Sequence, residues 1–261
     1  MWLHVDHTTR FSYDEPVTEA FTELRMKPMN VGGQRCSSFR LTLHPVGSRL
    51  HEYGDHFGNE VLHFNLLEPH EELTVTVSSD VFTPEGFDDG VRELSLTDRH
   101  DYLMETPYTP QAKAIQELAA GTQGHEALMA TIQERLIYER GATDVTSTAD
   151  EVLELGRGVC QDFAHLFIAA SRAQGVPARY VSGYLYDSDL DGQSAASHAW
   201  LDVWSAERGW ISLDPTHGRE QTDAYIRVAV GRDYADVPPT RGVYSGVAIE
   251  TLDVAVALTA L

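Results

Sequence analysis

Three side chains in the second half of the chain have the types and the order that nucleophilic acyl transfer requires. Cys160 supplies a thiol, His198 an imidazole, and Asp214 a carboxylate. A thiol attacks a carbonyl carbon effectively only as a thiolate, and an imidazole oriented by an acid promotes that ionisation. The order Cys, His, Asp therefore predicts a nucleophile, a general base and an orienting acid.

The sequence around Cys160 predicts a buried helix that begins at the cysteine. Apolar and small residues recur every three or four positions after it, at Phe163, Ala164, Phe167, Ile168 and Ser171. Glycines at 156 and 158 precede this repeat, and Gly175-Val176-Pro177 ends it. The cysteine is thus expected on the first turn, where the partial positive charge of a helix N-terminus lowers a thiol's pKa.

The histidine and the aspartate are expected at the outer ends of two adjacent strands. His198 opens the alternating segment SHAWLDVWS, and Asp214 closes the strand in WISLDPTHG. If these strands pair as an antiparallel hairpin through residues 205–209, their outer ends lie side by side. That pairing places the carboxylate beside the imidazole, where it fixes the tautomer and stabilises the charged ring.

The remaining periodicities divide the chain into a β-rich first part and an α+β second part. Up to about residue 82, apolar residues alternate with polar ones, as in half-buried strands. From Pro107 the apolar spacing becomes helical, and later segments alternate again. Helices followed by a mostly antiparallel sheet indicate an α+β fold. We predict domains at 1–105 and 106–261, with a polar linker over residues 88–106.

These segments resemble the core blocks of the transglutaminase-like superfamily, papain-related thiol enzymes that include transglutaminases and bacterial cysteine proteases. The blocks read GRGVCQDFAHLFIAASRAQGVPARYVSGY, SHAWLDVW and GWISLDPTHG. FSYDEPVTEAFTELRMKP and DHFGNEVLHF near the front, and GRDYADVPPTRGVY near the end, resemble the bacterial branch. The resemblance covers nearly the whole chain. It implies an N-terminal β-sandwich-like domain and a papain-like core in which helices pack on an antiparallel sheet.

The resemblance also implies a role for each reactive residue. Cys160 would be the nucleophile, His198 the general base and then the general acid, and Asp214 the residue that orients the histidine. The expected reaction is acyl transfer from a peptide or amide bond through a thioester acyl-enzyme, without a cofactor. Water as acceptor makes the protein a protease or amidase, which we favour because an open cleft admits water; an amine makes it a protein-glutamine transglutaminase. The expected partner is a peptide or protein substrate.

The chain departs from the family pattern near the site. His217 stands where many members have asparagine, and a second imidazole there either tunes the site or has no effect. Glu154 stands where a papain-type enzyme has the glutamine of its oxyanion site. The backbone N–H of Cys160 is then one expected oxyanion donor, and Gln161 is a candidate for the second.

The segment GRDYADVPPTRGVY is rich in charged and aromatic side chains for a connection. Because this segment resembles the bacterial branch of the family, we expect it to fold against the cleft, where Tyr234 and Arg241 would help to bind substrate. The alternative is that its charges pair with one another at the surface, which is the more common arrangement.

Two other classes of function fit parts of the sequence. A non-catalytic binding module could keep the same fold, since folds do not determine functions, although all three reactive positions are intact. A metal hydrolase could use some of the 12 histidines, but the sequence has neither an HExxH nor a paired CxxC motif, and we predict no metal. Asp187, Asp189 and Asp191 match half of a calcium loop, yet its twelfth position is His198 and strands flank it, which favours an acidic, solvated loop.

Composition and charge bear on the partners. Of 261 residues, 19 are Lys or Arg and 40 are Asp or Glu, and the resulting net charge of −21 repels phosphate backbones and anionic lipid surfaces. Two cysteines build no disulfide framework, and the sequence shows neither a signal peptide nor an apolar run of membrane-spanning length. We expect a cytoplasmic protein that binds neither nucleic acid nor membranes. Cys36 is expected to be structural or incidental, and His165 is expected either to pack in the core or to support the residues of the site.

Overall fold

The chain forms a curled N-terminal sheet and a second sheet covered by helices. The structure, a computed structural model, describes residues 1–91, 93–190, 194–195 and 197–261. The first part of the chain holds the strands β1 (Trp2–Leu24), β2 (Arg35–His44), β3 (His51–Gly54), β4 (Glu60–Leu66) and β5 (His70–Phe82). These strands pair antiparallel, as their alternating apolar pattern predicts.

Strand β1 is long enough to serve both halves of the N-terminal sheet. Its first half pairs with β5 and its second half with β4, and the register shifts between Ser12 and Val17. The shift bends the sheet, so that Leu24, Phe64 and Val75 are buried together in one core. The predicted β-sandwich-like domain is therefore confirmed as a curled antiparallel sheet with a core of its own.

The second part of the chain begins with helices and continues with strands. The helices are α1 (Leu96–Asp101), α2 (Lys113–Ala120), α3 (Gly124–Arg135), α4 (Ala149–Leu155) and α5 (Cys160–Ala173). The strands are β6 (Ile137–Tyr138), β7 (Arg157–Gly158), β8 (Ala178–Leu185), β9 (Ser194–Ala195), β10 (Ser197–Ser205), β11 (Gly209–Asp214), β12 (Arg219–Glu220), β13 (Tyr225–Gly231), β14 (Thr240–Ser245) and β15 (Glu250–Ala260). Short 3-10 helices lie at Ser188–Leu190 and Tyr234–Asp236.

Helix α5 is the centre of the second core. It lies against the antiparallel sheet β12-β11-β10-β8-β13, and α2, α3 and α4 contact its other sides. Its apolar residues, such as Phe163 and Phe167, are buried together with Leu201 and Leu213 of the sheet. The predicted α+β class, with helices packed on an antiparallel sheet, is confirmed.

Two segments add to what the sequence predicts. The polar stretch of residues 88–106 contains α1, whose first turn is capped because the Ser95 hydroxyl accepts the Asp98 N–H at 3.0 Å. The last two strands, β14 and β15, both pair with β1. Residues 240–260 therefore complete the N-terminal sheet, and the division of the chain at residue 105 stays a prediction.

In the ranges that the structure describes, no helix combines the length and the apolar character needed to cross a membrane. The cytoplasmic location and the absence of nucleic-acid and membrane partners stay predictions.

Candidate active site

Cys160 is the first residue of α5, and a side chain in the same turn fixes this end of the helix. The Asp162 carboxylate accepts the Val159 N–H at 2.7 Å and the Thr143 hydroxyl at 2.6 Å. Gly158 permits this because a Cβ there would lie 2.5 Å from the carboxylate. The thiol is half-buried, and the N–H of Cys160 has no acceptor within the helix. The thiol therefore lies at the positive end of the helix.

His198 lies near the start of β10, where the hairpin brings it to Asp214. Strands β10 and β11 pair antiparallel with Leu201 opposite Leu213, as the sequence predicts. The outer ends of the strands meet, and the His198 Nε2 lies 2.8 Å from the Asp214 Oδ2. The imidazole also stacks on Trp200, with ring centroids 5.9 Å apart and an interplanar angle of 22°. The ring is thus held from its edge and its face.

Asp214 is fully buried and is held by several hydrogen-bond donors. Its Oδ2 accepts the Tyr225 hydroxyl at 2.7 Å and lies 2.8 Å from the His217 Nδ1, in addition to its contact with His198. Its Oδ1 accepts the Thr216 N–H at 2.9 Å. Burial opposes the charged form, but the hydrogen bonds from the two histidines outweigh it and hold the pKa of Asp214 far below its usual range. Asp214 is therefore a carboxylate at neutral pH.

The charge of Asp214 sets the protonation state of His198. Burial disfavours the charged ring, whereas hydrogen bonds to Asp214 and Cys160 favour it, and together they raise the pKa of His198 to about 9. Because Nε2 engages Asp214, the ring nitrogen left for Cys160 is Nδ1. The raised pKa favours the imidazolium at pH 7, a form that can donate a proton and can pair with an anion.

Cys160 and His198 line a cleft between the two parts of the chain, with a cavity volume of about 260 Å³. Tyr180, Ser182 and Tyr234 line it on the side of the helix-covered sheet. The opposite side comes from the N-terminal sheet, through His7, Thr9, Leu252 and Val254. The N-terminal sheet therefore forms one wall of the candidate active site.

Of the substrate-binding residues predicted from the sequence, Gln161 and Tyr234 line the cleft and Arg241 does not. The Gln161 side chain donates to the Val145 carbonyl at 3.1 Å. Arg241 is exposed on β14 opposite Glu23 and is not among the cleft-lining residues, because the chain enters the N-terminal sheet at Thr240.

The predicted acidic loop lies only partly within the described residues, whereas His165 lies within them. Asp187 and Asp189 lie at the 3-10 helix, whereas Asp191 and Gly192, which belong to the same calcium-like pattern, lie outside the described residues. His165 is fully buried and its Nε2 accepts the Tyr234 N–H at 3.1 Å, which fits the structural role predicted for it.

Comparisons with known proteins show the family to which the chain is similar. Residues 3–82 match the bacterial transglutaminase-like N-terminal region, and residues 111–215 match the transglutaminase-like superfamily. The chain belongs to the transglutaminase-like superfamily. The resemblance read from the sequence blocks is thereby confirmed.

Two proteins of similar sequence and one solved structure of similar fold illustrate the range of matches. An uncharacterized protein of Mycobacterium leprae is 38% identical over 100% of both chains. A protein-glutamine gamma-glutamyltransferase of Pseudomonas aeruginosa is 30% identical over 123 residues, which cover 41% of this chain and 18% of that protein. A crystal structure from Cytophaga hutchinsonii, named a "Putative Cysteine Protease", has a TM-score of 0.76 and 20% identity and covers 100% of this chain and 92% of its own. That last likeness shows the shared fold.

Two supporting residues of the site escaped the sequence analysis. Trp200 follows His198 by two positions on one strand, so the alternation of side chains along a strand could have indicated the stacking. The Tyr225 hydroxyl on β13 donates to Asp214 at the end of β11, and strands β8 and β10 lie between β13 and β11 in the sheet. No local pattern signals that contact, because it depends on the order of strands in the sheet.

His198, Asp214 and His217 also form a cluster of metal-ligand types. One ligand atom from each lies within 4.8 Å of the others. The Asp214 Oδ2 lies within hydrogen-bonding distance of both rings, so hydrogen bonding accounts for the closeness of the three side chains without an ion. The prediction that the protein uses no metal stays a prediction.

Proposed function

We propose that this protein is a cysteine-dependent acyl-transfer enzyme that acts on peptide or amide bonds. One observation carries the proposal: His198 is bound to buried Asp214 through Nε2, and Nδ1 remains for Cys160 in the same cleft. This is the arrangement in which a carboxylate orients an imidazole that serves a nucleophile. The roles of Cys160, His198 and Asp214 as a triad are part of the proposal.

The first half of the reaction forms a thioester. The Cys160 thiolate attacks the substrate carbonyl carbon, a C–S bond forms, and the carbonyl π electrons move to oxygen. The N–H of Cys160, free at the helix N-terminus, is placed to stabilise that oxyanion, with Gln161 as the candidate second donor. When the tetrahedral intermediate collapses, the C–N bond breaks and His198 donates its Nδ1 proton to the departing nitrogen.

The second half releases the acyl group. Neutral His198 takes a proton from water or from an amine as that acceptor attacks the thioester carbon, and the C–S bond breaks to restore the Cys160 thiolate and the imidazolium. Asp214 stays ionised throughout, because its role is to stabilise the charged ring. The products are therefore the amine or ammonia released in the first half, together with an acid when water is the acceptor or a new amide when an amine is the acceptor.

We favour water as the acceptor, which makes the enzyme a protease or amidase. The cleft opens to solvent, and excluding water from a thioester requires walls that enclose it. A second candidate is a protein-glutamine transglutaminase, in which an amine is the acceptor. The name of the Pseudomonas aeruginosa relative supports this candidate for the part of the chain that it matches.

One experiment tests both candidates. A library of peptide amides is incubated with the enzyme in the presence and absence of glycine methyl ester, and the products are analysed by mass spectrometry. Hydrolysis predicts free acids in both samples, whereas aminolysis predicts conjugates that dominate when the amine is present. Cys160→Ala should abolish both products, and Cys36→Ala, which changes the other cysteine, should leave them unchanged. Products formed equally by Cys160→Ala would contradict the proposal.

A further inference from the structure

We propose that the cleft selects an uncharged, apolar side chain on the acyl group, and that Leu252 and Val254 of the N-terminal sheet make this selection. The inference rests on the proposed acyl transfer at Cys160 and names its substrate class. It assigns a role in specificity to strand β15, far from the reactive residues in sequence.

The wall of the cleft continues a buried apolar surface. Val256 and Leu258 of β15 are buried in a core shared with Tyr184 of β8. Two and four residues before Val256, on the same face of the strand, Val254 and Leu252 lie in the cleft and are 46% and 52% exposed. The sheet face therefore passes from a closed core to an open wall beside Cys160, where a substrate side chain can cover it.

Apart from Cys160 and His198, the residues that line the cleft carry no formal charge near pH 7. Among the lining residues that the structure describes, none is Lys, Arg, Asp or Glu. Burial lowers the pKa of His7 to about 4 and raises the pKa of Tyr180 and of Tyr234, so all three are neutral. In the proposed reaction, the Cys160 thiolate and the His198 imidazolium carry opposite charges that cancel.

These properties disfavour a charged substrate side chain. A cation or an anion that enters the cleft loses part of its hydration and finds hydroxyl and amide groups there, such as those of Thr9 and Gln161, but no oppositely charged Lys, Arg, Asp or Glu side chain to compensate for the loss. An apolar side chain instead covers the exposed carbons of Leu252 and Val254. The net charge of −21 attracts cations at long range, so a lysine side chain distinguishes selection by the wall from selection by the overall field.

The test uses peptidyl chloromethyl ketones that differ only in the acyl-side residue, which is leucine, lysine or glutamate. The measured quantity is the second-order rate constant for alkylation of Cys160, followed by mass spectrometry and divided by the rate constant for iodoacetamide. The leucine reagent should react at least about tenfold faster than either charged reagent. Leu252→Asp and Val254→Asp should each lower the leucine rate and raise the lysine rate, so that their ratio falls about tenfold or more.

Val243→Asp is the matched control, since Val243 is an exposed valine on β14 that does not line the cleft, and it should keep the wild-type ratio. Equal rates for the three reagents, or an unchanged ratio in both cleft variants, would overturn the selection while leaving the acyl transfer intact. Amide turnover that survives in Cys160→Ala would instead refute the proposed function. A circular dichroism spectrum and a thermal unfolding midpoint like those of the wild type show that a cleft variant is folded.

Discussion

Asp214→Asn removes the charge that keeps His198 protonated while preserving the size of the buried side chain. In the wild type the pKa of His198 is about 9 against an ordinary 6.5, and the Asp214 hydrogen bond is the largest contribution that raises it. A difference of about 2.5 units corresponds to about 3 kcal/mol of preferential stabilisation of the charged ring. Without the carboxylate, burial is opposed mainly by Cys160, so the pKa of His198 should fall toward its ordinary value or below it.

The consequence for the proposed chemistry is large. At about pH 7.5 the protonated fraction of His198 should fall from about 97% to about 9%, because the pKa moves from above that pH to below it. The general acid for the leaving group would then be about tenfold scarcer, before any loss from the misplaced ring.

NMR of the histidine rings measures the pKa of His198 directly. Protein labelled with ¹³C in its histidine rings is titrated from about pH 5 to about pH 10, and His198→Gln identifies the signal of His198. Asp253→Asn makes the same chemical change at an exposed position of β15 and should leave the titration unchanged. A His198 that still titrates near 9 in Asp214→Asn, or that titrates near 6.5 in the wild type, would refute the electrostatic reasoning.

Three further predictions concern stability and the second imidazole. Because His198 keeps its proton to a higher pH in the folded protein than in the unfolded chain, its contribution to the stability of the fold is complete below pH 6.5 and is lost as the pH rises through about 9. Denaturant titrations should therefore show the free energy of unfolding falling by about 3 kcal/mol across this pH window, and this fall should largely disappear in His198→Gln. His217→Asn removes one of several contacts to Asp214, so kcat/KM should fall about fivefold or less, and a loss beyond a hundredfold would show that His217 acts in the reaction itself. Arg227→Met leaves the fully buried Asp202 carboxylate without its main partner and should lower the free energy of unfolding by about 3–5 kcal/mol. Arg208→Met removes only the exposed ion pair with Glu220 and should lower it by about 1 kcal/mol or less. Equal losses in the two variants would contradict this ranking.

The elements that carry the reactive residues could be predicted because their signals are local. The helix at Cys160 follows from apolar spacing that ends before Gly175, and α5 does begin at the cysteine. The pairing of His198 with Asp214 follows from two alternating segments joined by a short turn, which pair in the expected antiparallel sense. Each of these inferences needs no more than one hairpin or one helix.

The remaining features depend on contacts between distant segments. Strand β15 alternates like any half-buried strand, and nothing in that pattern tells that it returns to β1 rather than extending the sheet beside α5. Tyr225 reaches Asp214 only because β13 and β11 lie in one sheet. Tyr234 and Arg241 belong to one segment, yet strand pairing starts between them and takes Arg241 away from the cleft. Sheet order, not local pattern, decides these positions.

The most direct test of acyl transfer at Cys160 is the mass of the enzyme quenched in acid during turnover of a peptide amide, because a thioester survives acid. The expected result is an added acyl mass on the proteolytic fragment that contains Cys160, which disappears together with turnover in Cys160→Ala. An acyl group found on another residue, or full turnover by Cys160→Ala, would contradict the proposed reaction.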